Sequence, residues 1–274
     1  MPLQISKSVS TRNVRSEQIS FYDNGEGPPL VLLHGMFGDF LDWEPVLEPL
    51  SQTHRVIALD LPGFGMSSKP RREYTADFFV AVLQEFFRQL ALNEIVLIGN
   101  SFGAQIAVLY ALRHSEMVAK LVLVDSGGFR EIPQEEASAI ASRLGAPVIA
   151  GLTPEIHTLL FASVFASPSA ASQLYLQRQN EKLQRPDYPA YAESVASSIR
   201  LSLSAYLLDR LPEIKCPTLL IWGEKDYVLP VAQARQALGK LRQGQLKIIP
   251  DCGHAPQLEC GEAFLGALRD FLNS

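Results

Sequence analysis

Cysteine is scarce: three residues in 274, at Cys216, Cys252 and Cys260. An odd count without a C-x-x-C spacing predicts neither a disulfide framework nor a zinc site. Charge is also sparse and only mildly one-sided. Asp and Glu outnumber Lys and Arg to a net −5, which favours solubility and speaks against nucleic acid or anionic lipid as the partner. Lys69, Arg71 and Arg72 come nearest to a basic run and read as a solvated loop. No apolar stretch nears the ~20 residues that span a bilayer, so no membrane partner is expected. Residues 1–7 lack the apolar core of a secretory signal. A cytoplasmic protein is the default expectation. Gly63-Phe64-Gly65 lacks the third glycine and the helix start of a dinucleotide loop, and no P-loop occurs. Neither a cofactor nor a metal is expected.

What the chain does have is material for a core. Hydrophobic residues make up 47% of it, and a chain this long buries roughly 75% of its unfolded surface, so no covalent staple is needed. The runs 29–33, 55–59, 94–98, 120–124, 218–222 and 245–249 are short, continuous and rich in Val, Ile and Leu. Strands buried on both faces of a parallel sheet have that pattern. Residues 19–22 alternate instead, as an antiparallel edge does. Phe78, Phe79, Val82, Phe86 and Leu90 fall at helical spacing behind a cap at Thr75 or Asp77. Ile106, Leu109 and Leu112 mark a second helix, and Phe264, Leu268 and Phe271 a last one. Alternating strands and helices predict an α/β fold, a mostly parallel doubly wound sheet with helices on both faces. Over 129–211 the strands stop, and Pro133, Pro154 and Pro168 mark helix starts before Pro186 and Pro189 break the pattern. This predicts a helical insertion at 129–211 in a core built from 1–128 and 212–274.

The strongest local motif is Gly99-Asn100-Ser101-Phe102-Gly103. It matches G-x-S-x-G between a strand and a helix, where a sharp turn lifts a serine hydroxyl above the sheet edge. A hydroxyl is a poor nucleophile at neutral pH and needs a base that is itself oriented by a third group. Asp226 follows the 218–222 strand and His254 follows the 245–249 strand. Sites in open α/β sheets gather at the carboxyl ends of strands, and the order Ser, Asp, His is the one this geometry uses. Asp125 also follows a strand and is the main rival of Asp226; Asp60 and Asp251 read as turn residues. His54, His114 and His157 follow no strand end and read as exposed or satisfied. His34-Gly35-Met36-Phe37-Gly38 follows the 29–33 strand; the backbone N–H groups of Met36 and Phe102 are the natural pair of oxyanion donors. His34 has no partner at metal-ligand spacing and reads as a loop-stabilising histidine.

Five pieces together, His34-Gly35, Asp60-x-x-Gly63-x-Gly65-x-Ser67, Gly99 to Gly103, Gly223-x-x-Asp226 and Gly253-His254, resemble the α/β-hydrolase superfamily. They are most similar to its capped bacterial esterases, lactonases and carbon–carbon bond hydrolases. The resemblance implies that the insertion is a helical cap and that Ser101 is acylated and then deacylated by water. The related haloalkane dehalogenases and epoxide hydrolases use an aspartate where Ser101 stands, which sets both activities aside. Hydrolases of aromatic ring-cleavage products often carry Trp after the histidine; here it is Ala255, although Asn100 is similar to that group. Ala104 replaces the family's second glycine after the elbow. Phe161, Phe165, Tyr175, Tyr188 and Tyr191 are offered as pocket walls, and Arg178, Arg185 and Arg200 as weaker carboxylate binders. The expectation is a hydrolase of a small carboxylic ester or lactone with an apolar acyl or alkyl group. The alternatives are C–C bond hydrolysis of a ring-cleavage-type diketone, or a small-ligand receptor on the same scaffold.

Overall fold

The computed structural model describes residues 8–274; residues 1–7, weighed above for a signal, lie outside the described residues. Eight strands form one sheet: β1 (Val9–Val14), β2 (Glu17–Asn24), β3 (Pro29–Leu33), β4 (Arg55–Leu59), β5 (Ile95–Asn100), β6 (Val118–Val124), β7 (Thr218–Gly223) and β8 (Gly244–Ile249). Their order is β1-β2-β4-β3-β5-β6-β7-β8. β1 and β2 pair antiparallel, as does β2 with β4; every other pairing is parallel. Each apolar run expected as a strand coincides with one, β5 starting at Ile95, one residue later than expected. β1 escapes that reading because its side chains are mostly polar and exposed.

The helices are α1 (Glu44–Ser51), α2 (Ala76–Gln89), α3 (Phe102–Arg113), α4 (Gln134–Arg143), α5 (Ala146–Ala150), α6 (Pro154–Ala162), α7 (Ala170–Lys182), α8 (Tyr188–Ser204), α9 (Ala232–Leu238), α10 (Pro256–Glu259) and α11 (Gly261–Leu272). The pleat sends Val31 and Leu33 of β3 to a core shared with α2, α3 and α9. Leu30 and Leu32 go to the opposite core, shared with α1 and α11. Burial on both faces explains why these strands read as continuous apolar runs. Thr75 caps α2 by accepting from the Phe78 N–H, which decides between the two expected caps.

Helices α4 to α8 lie between β6 and β7. α8 joins the main core through Tyr188, Tyr191 and Val195, while Phe161, Phe165 and Tyr175 form a small cluster of their own. One expectation is corrected. Cys252 and Cys260 are paired as a disulfide, with Cα atoms 6.4 Å apart. Total count and C-x-x-C spacing are silent about a bond between two residues that the β8–α11 connection folds together.

Candidate active site

Ser101 joins β5 to α3 with φ +53° and ψ −111°. Such a backbone at a non-glycine residue costs ~1–3 kcal/mol and persists only where the surroundings enforce it. Here the Ser101 N–H donates to Val124 O at 2.8 Å. A Cβ at Gly99 would stand 2.4 Å from Ala104 N, and one at Gly103 would stand 2.3 Å from Leu33 O. The two glycines of the motif are therefore a steric requirement of the turn.

Asp226 sits just past β7. Its Oδ1 accepts from the Val228 and Leu229 N–H groups, each at 2.8 Å. Its Oδ2 lies 2.7 Å from His254 Nδ1. With Nδ1–H donating to the carboxylate, Nε2 is left as the acceptor. The His254 N–H donates to Val164 O of the insertion at 2.7 Å. Ser101 and His254 line one cavity. Among the described residues no hydrogen bond joins the Ser101 hydroxyl to the imidazole; such bonds are often loose without substrate and tighten in the complex. Met36 and Phe102 flank Ser101 from the β3 loop and the α3 start, and among the described residues neither N–H has an acceptor.

Asp125, the sequence rival, is buried behind Asp226. Its Oδ1 accepts from the Gly223 N–H at 2.9 Å, and its Oδ2 is buried without a partner. Burial, and then the Asp226 charge, push its pKa well above the usual carboxylate range. Metal-ligating atoms of Asp125, Asp226 and His254 lie within 4.8 Å of one another, but the Asp226–His254 hydrogen bond already uses two of the three side chains. His34 is buried, donates from Nδ1 to Gly35 O at 2.8 Å and accepts from the Leu61 N–H at 3.0 Å. Burial lowers its pKa to about 4, so it is a neutral tie between two loops. Asp60 accepts from the Phe40 and Met66 N–H groups, the local role expected of it. His54 bonds to Thr53 and His157 to Asn180.

The cavity holding Ser101 has a volume of about 240 Å³. Its walls are mostly apolar, from Met36 and Phe37 of the β3 loop, Leu160, Phe161 and Val164 of the insertion, and Val228 and Leu258. Asp42 and Gln257 are its buried polar exceptions beside Asn100. Of the five aromatics offered as walls, Phe161 and Tyr175 line it. Phe165 packs behind Tyr175, with ring centroids 5.3 Å apart, and Tyr188 and Tyr191 belong to the core. No arginine lines it among the described residues: Arg178 pairs with Glu44, Arg185 with Asp187, and Arg200 faces other clefts. A larger cleft of about 570 Å³, between Tyr74, α4 and α8, includes Arg200 but none of the predicted catalytic residues.

Lys182 is a site neighbour that sequence reasoning missed. It is buried, donates to Phe37 O at 2.8 Å and pairs with Asp39 at 2.9 Å. Tyr191 OH donates to the same carbonyl at 2.8 Å, so the insertion holds the loop that carries Met36. Burial pushes the Asp39 pKa up, but the Lys182 charge and hydrogen bond outweigh it and bring it below the usual value. A lone lysine at the end of a polar helix gives no sequence signal of this.

A model described as the alpha/beta hydrolase family matches residues 30–267. A relative from Escherichia coli (strain K12 / DH10B), named 2-hydroxy-6-oxononadienedioate/2-hydroxy-6-oxononatrienedioate hydrolase, is 31% identical over 93% of this chain and 91% of its own. Among solved structures, a membrane phospholipase A described as a bacterial virulence factor is 30% identical with a TM-score of 0.80, covering 97% of this chain and 87% of that one. An esterase from Thermogutta terrifontis is 27% identical with a TM-score of 0.82, covering 97% and 98%.

Proposed function

The chain belongs to the alpha/beta hydrolase family, and on that premise we propose that it is a serine hydrolase cleaving a carboxylic ester or lactone of an uncharged, largely apolar acid. The observation that carries the reading is the 2.7 Å Asp226–His254 contact opening onto the same apolar cavity as the strained Ser101. We take the helices between β6 and β7 as the cap that closes this cavity.

In this reading Ser101 Oγ attacks the substrate carbonyl carbon as its proton passes to His254 Nε2. Negative charge moves to the carbonyl oxygen, which the Met36 and Phe102 N–H groups receive. Removing one such donor typically costs ~10²–10³ in turnover. Asp226 holds the imidazole in the tautomer that accepts from Ser101 and stabilises the imidazolium. Collapse expels the alkoxide, which takes the proton from His254. Water then repeats the sequence on the acyl-enzyme and releases the acid.

Charge chooses the substrate class. The E. coli relative is named for a dioate, which carries two carboxylates. Among the described residues no Lys or Arg lines this cavity, and Asp42 does. Burying an anion there without a cation is strongly unfavourable, which favours a neutral ester. The second reading, C–C bond hydrolysis, is favoured by that relative's similarity over nearly its whole length. One assay separates them: turnover of p-nitrophenyl esters from acetate to decanoate beside 2-hydroxy-6-oxononadienedioate, by wild type and Ser101→Ala. Ester turnover peaking at one chain length and lost in the variant is expected. Rapid cleavage of the dioate with feeble ester turnover reverses the order, and ester turnover that survives Ser101→Ala refutes the mechanism.

A further inference from the structure

Two side chains in the cavity wall have no work in the mechanism above. Gln257 is fully buried on α10, three residues past His254, and neither its Oε1 nor its Nε2 has a hydrogen-bond partner among the described residues. Asp42 lies in the 3-10 turn Phe40–Trp43. It is buried, and no donor among the described residues reaches its carboxyl. α10 packs on that turn, so both groups belong to one side of the cavity they line. Buried polar groups are normally paired, and a pair left open in a ligand cavity marks where ligand atoms complete the set.

We propose that Asp42 and Gln257 form a polar subsite that recognises an uncharged oxygen, a carbonyl or hydroxyl, carried on the acyl or alkyl part of the substrate. The proposal rests on the hydrolase reading of this cavity and adds to it a specificity determinant. Its chemistry follows from the charges around Asp42. Burial, and then the Asp39 charge, raise its pKa to about 8; Lys182 and Arg178 pull the other way and Asp60 adds to the rise. Near pH 7 the group is therefore a carboxylic acid, able to donate as well as accept. Gln257 offers the same two roles. A substrate carbonyl takes hydrogen bonds from the acid O–H and the amide N–H, and a hydroxyl also donates to Gln257 Oε1. Among the described residues no Lys or Arg lines the cavity to meet a carboxylate, Lys182 and Arg178 being spent on Asp39 and Glu44, and an ammonium group finds no fixed anion. Tyr175, lining the same cavity, gives this subsite an aromatic wall.

The test separates binding from chemistry. Calorimetric titration of Ser101→Ala protein with methyl hexanoate, its 3-, 4- and 5-oxo isomers and monomethyl adipate reads Kd without turnover. At least one oxo isomer is expected to bind about tenfold tighter than methyl hexanoate, and monomethyl adipate weaker. In the Ser101→Ala background, Gln257→Met and Asp42→Leu should each shrink that advantage to about twofold or less, whereas Asp42→Asn, which keeps a donor and an acceptor, should preserve most of it. The Kd ratio within one protein is unmoved by a merely structural role, and Gln257→Met and Asp42→Asn carry the test if Asp42→Leu does not fold. No oxo isomer binding tighter, an advantage that survives Gln257→Met, or tightest binding by monomethyl adipate overturns the subsite. Failure of wild type to turn over methyl hexanoate instead overturns the ester reading, and leaves the Kd ratios to decide the subsite on their own.

Discussion

At the scale of single residues, the placement of the candidate site is legible where each residue is tied to a strand end. Ser101, Asp226 and His254 each follow an apolar run, and the fold brings all three to the carboxyl edge of the sheet. Asp125 meets the same condition, and sequence alone left it open as a rival. The difference is three-dimensional: Asp226 Oδ2 faces the imidazole, while Asp125 spends one oxygen on the Gly223 N–H and turns the other toward Asp226. A neutral acid there can donate to the Asp226 carboxylate. Asp125→Asn, also a neutral donor, should keep kcat within about tenfold, whereas Asp125→Ala strands the buried Gly223 N–H and empties the space behind Asp226, and should cost more than about tenfold. Both values come from steady-state turnover of the preferred ester. Equal loss in the two variants would contradict a donor role. Asp42 and Gln257 were not legible, because whether a polar side chain finds a partner depends on packing between distant elements.

At the scale of elements, the parallel strands were readable because burial on both faces demands unbroken apolar runs. β1 was not, since only its pairing with β2, Val9 opposite Tyr22 onward, makes it a strand. The connection between β8 and α11 was the least readable element and couples most directly to the site. Glu259 accepts from the N–H groups of Ala166, Ser167 and Gly253, so one carboxylate clips the insertion to the loop carrying His254. Hydrogen bonds to a charged group contribute ~1.5–3 kcal/mol each to stability. Glu259→Ala should lower the Tm by roughly 8–16 °C and change kcat and KM together, with Glu259→Gln intermediate. Unchanged kinetics in a destabilised Glu259→Ala would separate the clip from catalysis. The Cys252–Cys260 disulfide closes a short loop beside it, worth about 2–3 kcal/mol by chain entropy. Cys260→Ser should lower the Tm, and reductant should do the same to wild type but not to the variant; an unchanged Tm in both would contradict the pairing.

At the scale of the whole molecule, the mostly parallel sheet with helices on both faces follows from strand–helix alternation and the crossover rule, and the sequence carries that alternation, whereas the strand order comes from the pairings alone. The buried charges do not show in it. Burial pushes the carboxyls of Asp42 and Asp60 up to about 8 and about 7, and Asp125 well above its usual range, with the Asp39 charge adding to the first two and that of Asp226 to the third. Between about pH 4 and these values the folded state holds protons that the unfolded chain has released. Stability therefore falls as pH rises through that window. Against this trend, the neutral buried His34, lowered to about 4, loses its contribution as pH falls below about 6.5, and the depressed Asp39 loses its own at lower pH; the three raised carboxyls outweigh them. The Tm should be higher near pH 5.5 than near pH 8.5, and Asp42→Asn should flatten the slope; a Tm that climbs steadily with pH would contradict the assignment.

The central claim, that Ser101 is a nucleophile activated by His254 and Asp226, is tested most directly by covalent trapping. The protein is incubated with a dialkyl fluorophosphate and digested, and the modified peptide is located by mass spectrometry. The account predicts one phosphoryl adduct, on Ser101, forming far more slowly in His254→Ala. Folded protein that hydrolyses an ester yet stays unlabelled at Ser101, or labels equally fast without His254, would contradict it.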